Sequence, residues 1–221
     1  MLHGAILYSE KHMDNNETPL IPDEHKFQPE SKRGWKNIAS TVAILLLAPI
    51  LAIFMTIFIF QSYEVFGQSM ETTLDSGDRL IVNKFSKNWS RLRGKEYIPQ
   101  RYEIVVFDRP RALISSSEVD HLIKRVIGLP GERVVVRGGE ITVFNVDSPD
   151  GFNPDEGKDY AKDIINTPGN VDITVGNGEI FVVGDNRTNS QDSRSFGSIS
   201  VESLTGVAEI RFVPVNAFKR L

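Results

Sequence analysis

The hydrophobic pattern divides the chain into three regions. The first is polar, carries three prolines and shows no apolar period, which predicts a disordered tail over residues 1–36. Residues 38–60 follow, and these 23 residues contain no charged side chain. As an α-helix, at about 1.5 Å per residue, they are long enough to cross the roughly 30 Å hydrocarbon core of a membrane. Beyond residue 63 the apolar positions form short runs, a pattern typical of β-strands.

Residues 37–63 are therefore predicted to be a single transmembrane anchor. Trp35 and Tyr63 flank the apolar run, where interfacial aromatic residues are common. A cleaved signal peptide is disfavoured, because its apolar region spans only about 7–15 residues and no small-x-small site follows the run. Basic residues at positions 32, 33 and 36 precede the run, and Glu64 is the first charge after it. The positive-inside rule then predicts a single-pass protein of the cytoplasmic membrane, with a cytoplasmic N-terminus.

The region after the anchor predicts a mostly β protein with an extracytoplasmic antiparallel sheet domain, sandwich-like or barrel-like. Its main part is predicted at residues 64–137 and 179–215, with a small β insert at 138–178 and a C-terminal tail at 216–221. The predicted strands are 78–84, 103–107, 122–127, 133–136, 140–144, 171–175, 179–183 and 207–213.

Residues 85–100 interrupt this strand pattern and are interpreted as an extended loop or hairpin. Their basic and aromatic side chains are compatible with contact to lipid headgroups and equally with a solvated hairpin.

The amino-acid composition argues against several kinds of binding partner and catalysis. The 221 residues carry a net charge of −4 with lysine and arginine spread along the chain, so no nucleic-acid partner is indicated. The absence of cysteine excludes disulfides and thiol catalysis. The four histidines are scattered, and three lie in the polar tail, so neither a metal site nor a histidine base is expected.

Two stretches carry the candidate chemistry. Ser69 lies on a predicted bend just beyond the anchor, and Lys124 lies among β-branched apolar residues far downstream. Taken alone, each residue favours a purely structural interpretation: Ser69 as a turn residue and Lys124 as an exposed lysine on a strand. A serine hydroxyl becomes a good nucleophile when a base within hydrogen-bond reach takes its proton, and lysine can do so only as the neutral amine. Burial of Lys124 would lower its pKa, while Arg125 would point to the opposite face of a strand.

Four blocks, in this order, carry a family resemblance. They are Gly67-Gln68-Ser69-Met70 with Thr73-Leu74, then residues 77–84, then residues 123–131, and finally Gly184-Asp185-Asn186-Arg187 continuing to Gly197. In these blocks the chain resembles the type I signal (leader) peptidases, from the anchor to Val213.

The resemblance implies a serine endopeptidase that removes signal peptides through an acyl-enzyme. It makes Ser69 the nucleophile and a backbone oxyanion donor, Lys124 the general base, and Ser190 the residue that orients the lysine amine. It implies ion pairs that brace the site, formed by Asp185, Arg187, Asp192 and Arg194. It implies shallow pockets for small side chains at the −3 and −1 positions of the substrate, lined by Val65, Phe66, Met70, Leu74 and Ile123.

The same resemblance implies no metal or organic cofactor. Its expected partners are signal-peptide-bearing preproteins and the lipid bilayer, and the chain is expected to be a monomer. Two positions depart from the family pattern. Gly67 lacks the hydroxyl that supplies a second oxyanion donor in part of the family, and Thr72 stands where proline is common.

Two other classes remain as alternatives. A catalytically impaired, membrane-tethered peptide-binding homologue is supported only by Gly67 and Thr72. A soluble self-cleaving repressor with a Ser–Lys pair is disfavoured, since the chain has a predicted membrane span and no predicted N-terminal DNA-binding helical domain.

Overall fold

A computed structural model of the protein describes residues 31–110 and 119–221. Most of the predicted disordered tail therefore lies outside the described residues. The chain divides into two compact units, Met1–Leu46 and Leu47–Leu221.

The first helix, α1, runs from Ser31 to Phe58 and contains Pro49. Its stretch Asn37–Thr56 has a mean hydropathy of 2.6, and within residues 31–110 and 119–221 it is the one helix long and apolar enough to cross a membrane. Its apolar side chains are exposed, for example Leu45 at 70%. A helix that is apolar and exposed in this way suits a lipid environment better than water.

Strand β1, Phe60–Glu64, begins two residues after α1 ends. It pairs antiparallel with β2, Arg79–Asn83. The end of the predicted anchor, residues 60–63, is therefore the first strand of the sheet. Its residues alternate between exposed and partly buried, with Gln61 and Tyr63 on the partly buried face, as in a strand with one face toward solvent.

A large eight-stranded sheet forms most of the second unit. Its order is β1-β2-β10-β3-β4-β8-β9, with β11 paired to β10, and every pairing is antiparallel. The remaining strands of this sheet are β3 (Ile104–Pro110), β4 (Val119–Gly128), β8 (Glu179–Val183), β9 (Ile199–Ser200), β10 (Leu204–Val213) and β11 (Lys219–Arg220).

A separate three-stranded sheet contains β5 (Arg133–Arg137), β6 (Glu140–Phe144) and β7 (Val171–Thr174), in the order β6-β5-β7. The sequence analysis placed β5 in the main domain, whereas the structure pairs it only within this small sheet. Val134 and Val136 are buried in one cluster with Ile141 and Val143 of the small sheet and with Ile127 and Phe181 of the large sheet, so the two sheets share this part of the core.

Two short helices complete the fold. Helix α2, Phe85–Leu92, occupies the segment that the sequence analysis interpreted as a loop or hairpin. Phe85, Trp89 and Leu92 recur at helical spacing, but the helix is only eight residues long and Lys84 gives no side-chain cap. Helix α3, Ser193–Phe196, is capped by the Asp192 side chain.

Candidate functional site

Ser69 lies in the turn between β1 and β2. The two ends of this turn are joined by hydrogen bonds from Val65 N to Asp78 O (2.8 Å) and from Gly77 N to Val65 O (2.9 Å). Met70 and Leu74, at most 1% exposed, anchor the turn in the core. Because the buried Met70 follows Ser69 directly, the serine backbone is held in one position while its side chain remains partly accessible.

Lys124 lies on β4 and is 3% exposed. Its Nζ lies 2.7 Å from Ser69 Oγ and donates to the Ile123 carbonyl oxygen at 2.8 Å. The two candidate residues are 55 positions apart in sequence, and the fold brings their functional atoms within hydrogen-bond distance. A base and a nucleophile must meet this geometric requirement before their pKa values matter.

Burial lowers the pKa of the Lys124 amine from 10.5 to about 8, against the opposing attraction of Asp192 and Asp185. Desolvation disfavours the charged ammonium and is the largest effect, so the attraction of the two carboxylates does not restore the usual pKa of the amine. A substantial fraction of the amine is therefore neutral near pH 8 and can accept a proton. A serine hydroxyl beside such an amine is the arrangement of a serine hydrolase.

The segment 184–194 packs directly behind the serine. Asn186 N donates to the Ser69 carbonyl oxygen at 3.1 Å. A Cβ atom on Gly184 would overlap that same oxygen and Ser190 Oγ, so this close approach requires glycine at position 184.

Ser190 departs from expectation. Its Oγ is buried and has no hydrogen-bond partner within the part of the chain that the structure describes. The predicted hydrogen bond from Ser190 to the lysine amine is thus absent, and the Ile123 carbonyl oxygen holds the amine instead. The Ser190 hydroxyl still lies beside Gly184 and the Ser69 carbonyl, close to the candidate dyad.

Asp185 and Asp192 each bind one guanidinium. Asp185 accepts from Arg125 Nε and Nη2 at 2.8 and 2.6 Å. Asp192 accepts from Arg194 at 2.8 and 2.7 Å and from Gly184 N at 3.0 Å. Burial alone would raise the pKa of Asp192, but the hydrogen bonds from Arg194 and Gly184 hold it below its usual value. The Arg125–Asp185 pair attaches segment 184–194 to β4, whereas the Asp192–Arg194 pair and the Gly184–Asp192 bond hold the segment in its own shape.

Arg187 pairs with a residue of the insert. Its Nη1 and Nη2 donate to the Asp155 carboxylate at 2.6 Å each, and Nη1 also donates to Thr167 at 2.9 Å. Tyr160 donates to Asp155 at 2.9 Å, and its ring lies 4.0 Å from the guanidinium carbon of Arg125. The small insert therefore contacts both arginines behind the candidate dyad.

Sequence reasoning missed the partners of these ion pairs. Arg125 was noted only for its distance from the amine, although a charged residue in a buried strand needs a partner. Asp155 and Tyr160 lie in an acidic segment with no local signal that distinguishes them from solvated loop residues.

The predicted pocket residues divide into two groups. Val65, Met70 and Leu74 are buried in one core cluster, and the partly buried Ile123 packs against it. Phe66 is 79% exposed and does not join them. The structure thus shows core packing for Val65, Met70, Leu74 and Ile123. That any of the five residues lines a substrate pocket stays a prediction.

The chain is similar in sequence to known proteins. The family described as "Signal peptidase, peptidase S26" matches residues 38–213. The signal peptidase I P of Bacillus subtilis subsp. natto is 31% identical over 192 residues, which cover 86% of this chain and 97% of that protein. The probable signal peptidase I-2 of a Synechocystis species is 36% identical over 193 residues, covering 86% and 78%.

A crystal structure of a signal peptidase I from Enterococcus faecalis matches at 30% identity with a TM-score of 0.38, covering 51% of this chain and 98% of that chain. The sequence matches define the class as serine endopeptidases. The chain belongs to the signal peptidase I family, peptidase S26, whose members act on signal-peptide-bearing preproteins.

The insert contact leads to a testable prediction. Asp155→Asn removes the charge that holds Arg187, so segment 184–194 should shift relative to Ser69. A misplacement of about 1 Å can reduce catalysis about a hundredfold, and we expect kcat to fall about tenfold to a hundredfold with KM little changed. The rate should be measured per active site, counted by titration with an acylating inhibitor. Asp150→Asn, in the same insert but exposed, is the matched control. A full kcat per titrated site in Asp155→Asn would contradict a positioning role.

Proposed function

We propose that the protein is a membrane-anchored signal peptidase in which Ser69 is the nucleophile and Lys124 the general base. The 2.7 Å separation of Lys124 Nζ and Ser69 Oγ, with the amine buried and its pKa lowered, carries this proposal.

The reaction follows from this pair. The neutral Lys124 amine takes the Ser69 proton as Oγ attacks the carbonyl carbon of the scissile peptide bond. The resulting ammonium then gives that proton to the leaving amine, and the C–N bond breaks to leave an acyl-enzyme. Lys124, neutral again, removes a proton from water as the water oxygen attacks the ester carbonyl. The ester C–Oγ bond then breaks, Lys124 returns the proton to Ser69 Oγ, and the signal peptide leaves as a carboxylic acid that ionises in water.

The tetrahedral intermediate needs hydrogen-bond donors for its oxyanion. The backbone N–H of Ser69 donates to no other group among the described residues, so it is available for this role. Gly67 offers no side-chain donor, and its backbone has φ +90° with open space at the Cβ position. Ser69 N–H is accordingly the proposed oxyanion donor.

Five residues are proposed to support the dyad: Ser190, Asp185, Arg187, Asp192 and Arg194. The ion pairs of the four charged residues are the supporting observation. Ser190 Oγ lies beside Gly184 without a hydrogen-bond partner among the described residues, and it is proposed to contact the amine after a rotation of the Ser190 side chain.

Substrate selection is assigned to the apolar surface beside the serine. Val65, Met70, Leu74 and Ile123 are proposed to limit the −3 and −1 pockets to small side chains. Their dense packing in one cluster leaves little room for larger ones. The exposed Phe66 is free to contact the substrate at the rim of these pockets.

The proposed topology has the N-terminal tail in the cytoplasm, α1 in the membrane as a single anchor, and the β domain outside. The small insert supports the site, and the enzyme acts as a monomer at the bilayer surface. The basic residues at positions 32, 33 and 36, which precede the exposed apolar stretch Asn37–Thr56, support this arrangement.

Removing either member of the dyad tests the chemistry. Ser69→Ala should abolish preprotein cleavage, and Lys124→Ala should lower kcat by about 10²–10⁴ because general-base catalysis is lost. The measurement is cleavage of a preprotein by purified full-length enzyme in detergent. Lys162→Ala, at an exposed lysine, should cleave normally. Turnover at the wild-type rate in either dyad variant would contradict the assignment. Peptide binding without cleavage by the wild-type protein would instead indicate a catalytically impaired homologue.

The topology can be tested with engineered cysteines, because the natural chain has none. Val146→Cys places a thiol at a 97% exposed position of the insert. A membrane-impermeant maleimide should label this thiol in intact cells, while His12→Cys should be labelled only after lysis. The reverse pattern would overturn the proposed orientation.

A further inference from the structure

Helix α2 is fixed to the end of the apolar helix α1. Asn88 Nδ2 donates to the Phe58 carbonyl oxygen at 2.8 Å, and Lys84 N donates to the Ile59 carbonyl oxygen at 2.8 Å. Both acceptors belong to the last turn of α1 and the residue that follows it, within the second compact unit. These bonds hold α2 at the level where the apolar helix ends.

A groove of about 960 Å³ lies between α2 and the end of α1. Its apolar wall consists of Phe54, Phe58, Ile59, Phe85, Trp89 and Leu92. Several of these side chains are exposed, with Phe58 at 49%, Trp89 at 43% and Leu92 at 78%. Large apolar side chains exposed together on a groove mark a binding surface rather than ordinary protein surface.

The rim of this groove is basic. Lys84, Lys87 and Arg91 line it, and the Arg93 guanidinium stacks on the Trp89 ring at 4.6 Å. Neither Arg91 nor Arg93 forms an ion pair with any residue that the structure describes.

Other groups at the groove are already engaged. Lys87 donates to the carbonyl oxygens of Glu202 and Leu204. Asp108, the acidic residue of the lining, accepts from Thr205 at 2.9 Å and contacts His121 at 2.7 Å. Lys84 donates to Gln61 Oε1 at 2.8 Å. Arg91 and Arg93 therefore remain as the basic side chains at the groove that have no hydrogen-bond partner among the described residues, and they are available to an anionic ligand.

We propose that this groove binds an anionic phospholipid of the outer leaflet, with an acyl chain against the apolar wall and the headgroup phosphate at Arg91 and Arg93. Two observations select a lipid over a protein partner. The groove is continuous with the exposed apolar surface of α1, and its rim carries the charge that complements a phosphate. The inference rests on the proposed membrane insertion of α1, but not on the Ser69–Lys124 chemistry.

Such a site would give the β domain a second attachment to the bilayer besides α1. An amphipathic helix with aromatic and basic side chains is suited to the membrane interface. Two attachments restrict the rotation of the domain about α1, and hence the height of Ser69 above the lipid.

The two tryptophans of the chain, Trp35 and Trp89, make a direct test possible. The full-length Trp35→Phe protein leaves Trp89 as the sole tryptophan beside the groove. It is reconstituted into mixed vesicles in which either phosphatidylglycerol or phosphatidylcholine carries brominated acyl chains, at equal mole fractions. We expect brominated phosphatidylglycerol to quench Trp89 at least twofold more strongly than brominated phosphatidylcholine. Equal quenching by the two lipids overturns the anionic site, and no quenching by either overturns the interfacial position of α2.

Variants that remove the charge of the two arginines test whether these residues form the headgroup site. Arg91→Gln with Arg93→Gln should make quenching by the two lipids equal while quenching itself persists. Arg137→Gln with Arg220→Gln removes the same charge from exposed positions elsewhere and should keep the preference. If the first double variant keeps the full preference, the two arginines are not the headgroup site and the proposal is wrong.

Two controls separate this proposal from the proposed function. Cleavage of a short soluble peptide in detergent should be unchanged in Arg91→Gln with Arg93→Gln, which also shows that the variant is folded. Adding Ser69→Ala to Trp35→Phe should leave the lipid preference intact. A loss of the preference in that protein would mean that the signal depends on the catalytic site, and the lipid proposal would fail.

Discussion

The burial of one amine is the constraint on which the rest of the site depends. The Lys124 amine can act as a base only if its pKa lies near the working pH, and burial supplies that shift. A pKa lowered from 10.5 to about 8 corresponds to about 3 kcal/mol of lost folding stability while the folded protein holds the ammonium. Because the folded-state pKa is the lower one, this cost is fully present below pH 8. Stability should rise with pH from 8 towards 10.5.

The fold keeps this amine buried and aimed at the serine. Adjacent residues of a strand point to opposite faces, and on β4 Lys124 contacts Ser69 while Arg125 binds Asp185. The positive charge next in sequence is thus neutralised on the other side of the strand. Asp155 and Tyr160 then link the small insert to the same assembly of arginines. The insert, variable by resemblance, has in this chain a structural connection to the site.

The sequence predicted the strands whose burial follows a local pattern. The bounds of β6 and β8 match the predicted strands, because each is a short apolar run between turn residues. The mostly antiparallel β class is confirmed by the sheet topology. Strand β5 was predicted within the main part of the domain and pairs with β6 and β7 of the small sheet, because nothing within Arg133–Arg137 indicates which of two sheets will receive it. Helix α2 was missed because a helix of eight residues has too few positions to show its period.

The residues of the candidate site that lie within the sequence motifs could be predicted, whereas several of their contacts could not. Ser69 and Lys124 were named from their blocks, and the structure brings their functional atoms together. The Ser190 contact is not formed, and its position depends on packing against Gly184 that no local pattern encodes. The Arg125–Asp185 and Arg187–Asp155 pairs join residues 60 and 32 positions apart. Pairings of that kind are set by the completed sheet and therefore lie beyond sequence reasoning.

The most direct measurement of the central claim is the titration of the Lys124 amine itself. In full-length protein with ¹⁵N-labelled lysine, the Nζ resonance is assigned by its absence in Lys124→Ala and followed with pH. The account predicts a midpoint near pH 8, well below that of the exposed lysines. A midpoint near 10.5 would show an ammonium that stays charged at working pH, and the proposed base would then be excluded.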